Sequence, residues 1–378
     1  MALPTGESPI SFSQIRTEFG TDGDNTNGPV RLGQYRNTDP SFSNKDVGSL
    51  TNLPLDSGIG FVPGATGAIN VDAFHGKKLN VIVDYYSGST ENRPNDARTK
   101  YQASSASGNR VVVGGYKDRV VDDSSGSKVI IHVNKTIGSA TGNVNFCAVR
   151  TGTSWESGTE LSIVVGSSGK IFGAGGDGGD GSSVQTEGDA GPGEDGSDGS
   201  SALGVSYSGT VVNVASGGII SKGYGGGGGG GASWGQQENS GKPKYHHQGS
   251  GGGGGAGLPA GEGGARTTGD VHNANPGADG SLTSAGSGGA APSDHTHGNE
   301  GGFAGGGKGG DGGDAEQSAQ NGNQGEFGGG EWEEGPVREG GGTAGGDGAA
   351  IRRASGITVT IGTNNGTITG STTATGVN

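Results

Sequence analysis

Residues 217 to 233 read GGIISKGYGGGGGGGAS, in which an apolar, strand-like phrase leads into seven consecutive glycines, Gly225 to Gly231. A chain that needed only a flexible connection would not need the apolar phrase. Ordering a residue costs about 1–2 kcal/mol of backbone entropy, most of all for glycine, whereas a hydrogen bond returns only about 0.5–1.5 kcal/mol. The run is therefore either a disordered linker or part of a dense, cooperative lattice of hydrogen bonds. The glycine tracts alternate with loops that contain Trp, His and Tyr, which favours the lattice, and the spacing of neighbouring glycines indicates its geometry.

That spacing has a period of three residues. In GGDGGDG (175–181) and GGKGGDGGD (306–314), two of every three residues are glycine and the third is Asp or Lys. The polyproline II conformation has three residues per turn and no internal hydrogen bonds. The pattern thus predicts threefold helices with two bare faces and one charged face at the rim. All-glycine runs belong at the centre, with Gly225, Gly228 and Gly231 in one run and Gly251 and Gly254 in a second.

Glycine and negative charge are concentrated in the same half of the chain. Residues 173–348 hold 63 of the 90 glycines, and they carry 22 Asp and Glu against 6 Lys and Arg. The glycines lack the strict Gly-X-Y period of collagen, which excludes that class. An acidic surface repels phosphates, so nucleic acid is not a predicted partner. The single cysteine, Cys147, cannot form an intrachain disulfide, and no secretion signal is visible, which indicates assembly in a reducing cytoplasm.

Helix signals mark the N-terminal part of the chain. In PISFSQIRTEFG (9–20), Ser11 and Gln14 match a capping box, which predicts a short helix from Phe12 to about Phe19. The phrase returns as AINVDAFHG (68–76). Residues 1–78 are too few to bury much apolar surface alone, so they are predicted to be a docking module that gains stability from a partner chain. A small cap on the next domain is an equally good interpretation. The predicted docking residues are Phe12, Ile15, Phe19 and Phe74.

Short apolar strands follow in residues 79–172, separated by Gly, Ser, Asn and Asp turns. LNVIVDYY (79–86) and ELSIVVG (160–166) are typical of them. Their spacing and β-branched content predict a small β-sandwich. His132 lies inside one such strand, where a lone histidine is more often structural than a ligand.

Two longer stretches repeat one phrase, an apolar strand, a small-residue turn, an Ile-containing strand and a glycine run. They are TELSIVVGSSGKIFGAGGDGGDG (159–181) and VVNVASGGIISKGYGGGGGGGAS (211–233). The phrase resembles glycine-rich bacteriophage tail-fibre proteins, above all the receptor-binding adhesins at the tips of T-even-type long tail fibres. The N-terminal phrases resemble a module found at the start of phage tail and virion proteins. T-even adhesins lack that module, so the attachment point on the virion stays open.

The resemblance implies a fold that is mostly β and polyglycine II. In this interpretation a docking module (1–78) and a β-sandwich (79–172) precede a sandwich of packed polyglycine II helices (173–350). The last part, AIRRASGITVTIGTNNGTITGS (350–371), resembles a β-hairpin with its turn at Asn365-Gly366, which assigns residues 351–378 to a C-terminal hairpin. The expected location is a tail fibre or tail tip, with other phage tail or fibre proteins bound through residues 1–78. The oligomeric state stays open.

Loops rich in contact-forming side chains separate the glycine runs. They are SWGQQENSGKPKYHHQ (233–248), RTTGDVHNANP (266–276), PSDHTHGNE (292–300) and EWEEGPVRE (331–339). Aromatic rings beside amides and carboxylates suit a host glycan or an outer-membrane protein. If successive helices run antiparallel, alternate loops share one end. Trp234 and Trp332 could equally cap the glycine lattice. The candidate receptor-binding residues are Trp234, Tyr245, His246, His247, His272, His295, His297 and Trp332.

Other chemistry is weakly indicated. The His-x-His pair at His295 and His297 specifies too little for a metal site. Two glycine runs begin like a calcium nonapeptide, but Ser182 and Gly313 occupy its large apolar position. Acidic residues around Trp332 match a solvated face better than a catalytic pair. The sequence therefore predicts no metal, no cofactor and no enzyme. It predicts a fibre or tip adhesin, with a structural tail or capsid decoration protein as the alternative.

Overall fold

The computed structural model describes residues 128–377 except 154, 156, 187–188, 238–243, 267–273, 293–302 and 329–331, together with 8–12, 14, 71, 81–84 and 111–113. Nearly all regular structure in these residues is β-strand. In the same residues, no helix has the length and apolar character needed to span a lipid bilayer. The first strands are β1 (Val81–Asp84), β2 (Val111–Val113), β3 (Lys128–Val133), β4 (Thr136–Ile137), β5 (Cys147–Arg150), β6 (Glu160–Val165), β7 (Lys170–Phe172), β8 (Val184–Thr186), β9 (Asp189–Ala190) and β10 (Ser201–Val205).

The later strands lie on both sides of the longest glycine-rich stretch. They are β11 (Thr210–Val214), β12 (Ile219–Ser221), β13 (Ser233–Gln237), β14 (Lys244–His247), β15 (Phe303–Gly305), β16 (Glu326–Gly328), β17 (Trp332–Arg338), β18 (Ile351–Arg353), β19 (Val359–Asn364), β20 (Thr367–Thr369) and β21 (Ala374–Thr375).

Twelve of these strands form a three-sided parallel β-helix. Strands β3, β6, β11 and β19 stack in parallel in the first sheet, which β1 and β2 extend. The second sheet holds β4, β7, β12 and β20, and the third holds β5, β10, β18 and β21, again in parallel. The chain visits the three sheets in turn. The rungs are therefore β3-β4-β5, β6-β7-β10, β11-β12-β18 and β19-β20-β21.

Alternating apolar residues fill the interior of the β-helix. Ile131 and Val133 of β3 are buried in one cluster with Ile163 and Val165 of β6 and Val212 of β11. Fully burying a side chain of this size stabilises a fold by roughly 1.5–3 kcal/mol. The period-two pattern of these strands thus sets which face of each strand points inward.

The predicted β-sandwich is wrong for the described strands. Its strands β3 to β7 form only parallel pairs, and β5, β6 and β7 pair with β10, β11 and β12 from residues 201–221. Short apolar strands between small-residue turns have the same local pattern in a sandwich and in a β-helix. The repeated sequence phrase at 159–181 and 211–233 corresponds to the repeat of the β-helix, because its two copies begin successive rungs with β6 and β11.

The predicted C-terminal hairpin is also wrong. Strand β19 belongs to the first sheet and β20 to the second, and each pairs in parallel with the preceding rung. The turn between them is a corner of the β-helix, where the N–H of Asn365 donates to Val214 O (2.8 Å) and the N–H of Thr367 donates to Gly218 O (2.9 Å). An Asn-Gly pair favours a tight turn, but it does not decide whether the flanking strands pair with each other.

The glycine-rich chain emerges from one corner of this β-helix. Residues 173–200 are inserted between β7 and β10, and residues 223–350 between β12 and β18. Residues 201–222 complete rungs, so the glycine-rich region is two insertions and not the continuous domain predicted for 173–350. Both insertions leave and re-enter between the second and third sheets.

The two insertions contain ten extended segments among the described residues. They are segment 1 (173–182), segment 2 (191–200), segment 3 (223–232), segment 4 (249–258), segment 5 (259–265), segment 6 (274–281), segment 7 (285–290), segment 8 (306–313), segment 9 (319–325) and segment 10 (339–348).

Backbone hydrogen bonds join the segments into three layers. Segments 2, 1 and 5 form one outer layer, and segments 9, 8 and 7 form the other. Segments 10, 3, 4 and 6 lie between them. Segments 3 and 4 are enclosed on every side, because segment 3 bonds to segments 1, 2, 4, 8, 9 and 10 and segment 4 bonds to segments 1, 3, 5, 6, 7 and 8.

The hydrogen bonds of segment 3 repeat every three residues. The N–H groups of Gly226, Gly227 and Gly228 donate to segments 2, 4 and 9, respectively, at 2.8–3.0 Å. Those of Gly229, Gly230 and Gly231 then donate to the same three segments in the same order, at 2.8–2.9 Å. The N–H groups of successive residues thus point in three directions around the segment axis.

No side chain fits in this central run. A Cβ atom at Gly225, Gly228 or Gly231 would lie 2.0 Å from a carbonyl oxygen of segment 10. At Gly251 and Gly254 it would lie 2.0 Å from an oxygen of segment 5. Contacts so short do not occur for real Cβ atoms, so the close approach of neighbouring backbones requires glycine here.

Seven carboxylates and one amide oxygen in the outer grooves accept backbone N–H groups from neighbouring segments at 2.6–3.1 Å. The third-position residues Asp177, Asp180, Asp311 and Asp314 of the sequence pattern are thus hydrogen-bond acceptors as well as charges. The pairs, with the N–H donor first and the side-chain acceptor second, are Glu262 and Asp177, Gly263 and Asp279, Ala265 and Asp180, Ala285 and Asp314, Gly288 and Asp311, Thr343 and Asp195, Ala344 and Asn321, and Gly346 and Asp198.

An ion pair fixes the junction between the β-helix and the lattice. The Lys222 ammonium group pairs with the Asp347 carboxylate and lies 4.6 Å from the centre of the Tyr224 ring. The second Asp347 oxygen accepts the N–H of Gly225 at 3.1 Å. The start of segment 3 is thereby tied to the end of segment 10.

Only a few N-terminal residues are described. The Ser11 N–H donates to Gln14 Oε1 (2.7 Å) and the Gln14 N–H donates to Ser11 Oγ (3.2 Å), which confirms the capping box. Ile10 and Val71 pack against the β-helix core, while Phe12 is 54% exposed. The other predicted docking residues, Ile15, Phe19 and Phe74, lie outside the described residues.

Candidate functional site

The chain enters and leaves all four sequence-predicted loops at one end of the glycine lattice. Segments 1, 3, 5, 7 and 9 run toward this end and segments 2, 4, 6, 8 and 10 run away from it, as the order of their hydrogen-bond partners shows. At this end Gly249 bonds to Ser182, Ser250 to Gly307, and Glu339 to Ala232. We call it the loop end. The opposite end carries the β-helix and the short turns between segments 4 and 5, 6 and 7, and 8 and 9.

Small sheets cover part of the loop end. Strands β14, β13 and β17 form a three-stranded antiparallel sheet, and β15 pairs with β16. Strand β13 continues directly from segment 3, so the central glycine run positions the middle strand. The Ser233 hydroxyl donates to Gly305 O at 3.0 Å and links β13 to β15.

Five of the eight predicted receptor-binding residues fall in this one sheet. Trp234 lies in β13, Trp332 begins β17, and β14 contains Tyr245, His246 and His247. In the register, Trp234 pairs with His246, Gln237 pairs with Trp332, and Tyr245 pairs with Gly235. His272, His295 and His297 lie outside the described residues.

Two of the five are buried. The indole of Trp234 is 1% exposed and packs in a cluster with Ala190, Ala232 and Val337. The side chain of His247 is 0% exposed. Neither can touch a receptor in this arrangement, which favours the alternative interpretation that Trp234 caps the glycine lattice.

Sequence reasoning missed the partners of this tryptophan. Ala190 follows a loop of the first insertion, Val337 lies far along the second, and both join Trp234 through the folding of the lattice. The burial of Trp234 could have been suspected from the sequence, because the glycine run changes there to the strand-like SWGQQ (233–237). This change marks where the close packing of glycine backbones ends.

The His-x-His pair, His295 and His297, lies outside the described residues. Within the part of the chain that the structure describes, no three His, Cys, Asp or Glu side chains are arranged to hold an ion. Glu331 lies outside those residues, and Glu333 and Glu334 fall in β17. His132, the strand histidine, is buried in the β-helix, and desolvation lowers its pKa to about 4. This histidine is therefore neutral at pH 7.

A known protein family matches most of this chain. A protein-family profile described as phage tail fibre adhesin Gp38 matches residues 97–373, almost three quarters of the chain. The chain belongs to this family of tail fibre adhesins.

One solved structure aligns with most of this chain. The crystal structure of the gp37-gp38 adhesin tip complex of the bacteriophage S16 long tail fibre aligns with 81% of this chain and 88% of that chain, at 16% identity and a TM-score of 0.34. A search of curated proteins finds no match.

Proposed function

We propose that this protein is the receptor-binding adhesin of a phage tail fibre or tail tip, holding its loops toward the host on a sandwich of polyglycine II helices. The observation that carries the proposal is the convergence of the four loops at the loop end, away from the β-helix. Membership of an adhesin family supports a binding role and not a catalytic one.

The assignment of polyglycine II rests on three properties of the segments. Their hydrogen-bond directions recur every three residues, their bonds go to neighbouring segments, and their central residues leave no room for a Cβ atom. Polyproline II geometry supplies all three, because it has three residues per turn and no internal hydrogen bonds.

The lattice gives the loops a rigid base. Loops that bind a partner lose less conformational entropy when a scaffold already fixes their ends. The buried side chains of Trp234 and His247 are part of this base and stabilise it. The contact residues we propose are Tyr245, His246, His272, His295, His297 and Trp332, and the ligand is a host surface glycan or outer-membrane protein.

Attachment to the virion is assigned to residues 1–78. Packing of Ile10 and Val71 against the β-helix seats this module on its own chain, whereas the exposed Phe12 is free to contact another phage protein. The partner is a tail or fibre protein, and assembly takes place in the host cytoplasm before release.

Host adsorption of loop variants tests the receptor assignment. A variant with His295→Ala, His297→Ala and Trp332→Ala, displayed on beads, is expected to bind host cells at least tenfold less than wild type. Thr283→Ala, in an exposed turn at the opposite end, is the matched control. Unchanged cell binding by the triple variant would favour the alternative, a structural tail or capsid decoration protein.

A further inference from the structure

Asparagine or aspartate followed by glycine is a chemically fragile pair in a protein chain. The glycine nitrogen can attack the preceding side-chain carbonyl carbon, and glycine has no side chain to hinder the approach. Nine such pairs fall within the described residues. One of them, Asn365-Gly366, lies at the corner between β19 and β20. The other eight lie in the glycine lattice and begin at Asp177, Asp180, Asp195, Asp198, Asp279, Asp311, Asn321 and Asp347.

The lattice protects its own pairs. The N–H group of each of the eight lattice glycines donates to a carbonyl oxygen of a neighbouring segment, at 2.8–3.1 Å. In Asn321-Gly322, for example, the Gly322 N–H donates to Gly342 O at 2.9 Å. A nitrogen held in this way cannot turn toward the preceding side chain without losing its bond. Attack within the lattice therefore requires the lattice to open.

The pair at the corner of the β-helix lacks this protection. Within the part of the chain that the structure describes, the Gly366 N–H donates to no acceptor, and Asn365 is exposed to solvent. The corner also requires glycine, because a Cβ atom at Gly366 would lie 2.4 Å from Gly218 O. The fold thus combines the least hindered residue with an unbonded nitrogen beside an exposed asparagine.

We propose that Asn365 is a site of spontaneous deamidation, and that this modification loosens the last rung of the β-helix as the protein ages. The Gly366 nitrogen forms a bond to Asn365 Cγ, the bond from Cγ to Nδ2 breaks, and ammonia leaves with the proton of the Gly366 N–H. Water then opens the resulting succinimide at one of its two ring C–N bonds, which gives either aspartate or isoaspartate. The reaction consumes only water and needs no oxidant or reductant.

The isoaspartate product changes the main chain, which then runs through the former side chain and gains one carbon atom. On either side of that point, the Asn365 N–H donates to Val214 O at 2.8 Å and the Thr367 N–H donates to Gly218 O at 2.9 Å. An added atom between these two bonds must displace one of them, so the pairing of β20 with β12 is expected to weaken. The aspartate product adds a negative charge and leaves the main chain unchanged.

Accelerated ageing of the full-length protein tests the proposal. The folded protein is kept in warm, mildly alkaline buffer, and its tryptic peptides are analysed by mass spectrometry for conversion of amide to acid. Peptide 354–378 contains Asn365-Gly366, and peptide 309–338 contains Asn321-Gly322 as the matched control. Conversion is expected to be roughly tenfold or more faster in 354–378, because the control pair reacts only when the lattice opens. In urea the two peptides are expected to convert at similar rates.

Two variants separate the chemistry from its structural effect. Asn365→Gln should abolish the conversion in 354–378, because glutamine closes the corresponding larger ring far more slowly. The isoaspartate form, isolated by chromatography, should melt at a lower temperature than Asn365→Asp, which carries the same charge on a normal main chain. Equal conversion of the two peptides in folded protein, or continued conversion in Asn365→Gln, would overturn the site. Equal melting temperatures would overturn the effect on the last rung.

Discussion

The Asp195 carboxylate accepts two hydrogen bonds from Thr343, one from its backbone N–H at 2.6 Å and one from its hydroxyl at 2.8 Å. The two residues are far apart in sequence and belong to neighbouring segments 2 and 10. The backbone bond from Thr343, followed by the hydroxyl bond, lowers the pKa of Asp195. A carboxylate with a lowered folded-state pKa stabilises the fold above its unfolded-state pKa and loses that effect as pH falls.

Acid should therefore weaken the hydrogen bonding between segments 2 and 10. Stability is expected to decline as pH drops below about 4, the ordinary pKa of Asp. Asp195→Asn keeps an oxygen acceptor but does not titrate, so its decline with acid should be shallower. Thermal unfolding between pH 3 and pH 7 measures the difference. Parallel curves for the two proteins would show that this carboxylate does not couple to folding.

Removing an acceptor from an outer groove should destabilise the lattice. Asp311 accepts the N–H of Gly288 at 2.8 Å, and Asp311→Ala leaves that donor to water. We expect a loss of about 0.5–1.5 kcal/mol in the free energy of unfolding, the usual net value of one hydrogen bond. Asp311→Asn retains an acceptor and is the control, expected to lose less. Equal losses for both variants would assign the effect to charge instead of hydrogen bonding.

A methyl group in the central run should be far more damaging than one at the rim. In Gly228→Ala the new Cβ would lie 2.0 Å from Gly342 O, and the surrounding backbones on all sides cannot move independently. We expect destabilisation above about 4 kcal/mol or failure to fold. Gly340→Ala is the matched control, because no heavy atom lies within 4 Å of its Cβ position. Similar stabilities for the two variants would contradict the close packing described above.

His132 should make the β-helix sensitive to mild acid. Its pKa is lowered to about 4 by burial, so the unfolded chain binds a proton between pH 6.5 and 4 while the folded chain does not. Stability is then fully present above about pH 6.5 and falls as pH approaches 4, by about 3 kcal/mol at most. His132→Gln should flatten this part of the profile in denaturant titrations. An unchanged slope would show that the imidazole titrates alike in the folded and unfolded chains.

Trp234 should prove structural. Truncating this buried indole to alanine is expected to cost about 3–5 kcal/mol of stability. His295→Ala is expected to leave the melting temperature unchanged and to reduce cell binding instead. A stable Trp234→Ala protein with lost cell binding would reverse the assignment and return Trp234 to the receptor contact surface.

Much of the glycine lattice could be predicted from the sequence, because its requirement is local. Glycine at two of every three positions indicates a segment with two sides against other backbones. An all-glycine run such as Gly225 to Gly231 indicates a segment that is enclosed on every side. The β-helix could not be predicted in the same way. Whether β6 pairs with its sequence neighbours or with β11, beyond the first insertion, depends on long-range register that strand composition does not encode.

The candidate site was predictable in position and less so in detail. Convergence of alternate loops was predicted on the condition that the segments are antiparallel, and the segments do alternate in direction. The burial of Trp234 was not predicted, because its cluster is built with Ala190 and Val337 from distant parts of the chain. Aromatic residues next to glycine runs can serve the scaffold or the ligand, and only the packing separates the two.

Amide hydrogen exchange at Gly226 to Gly231 tests the central claim most directly. Each of these N–H groups donates to a neighbouring segment inside an enclosed layer, so exchange is expected only through unfolding of the lattice as a whole. Protection close to that of the β-helix core, and uniform along the run, is the predicted result. Exchange at the rate of an unstructured peptide would contradict it.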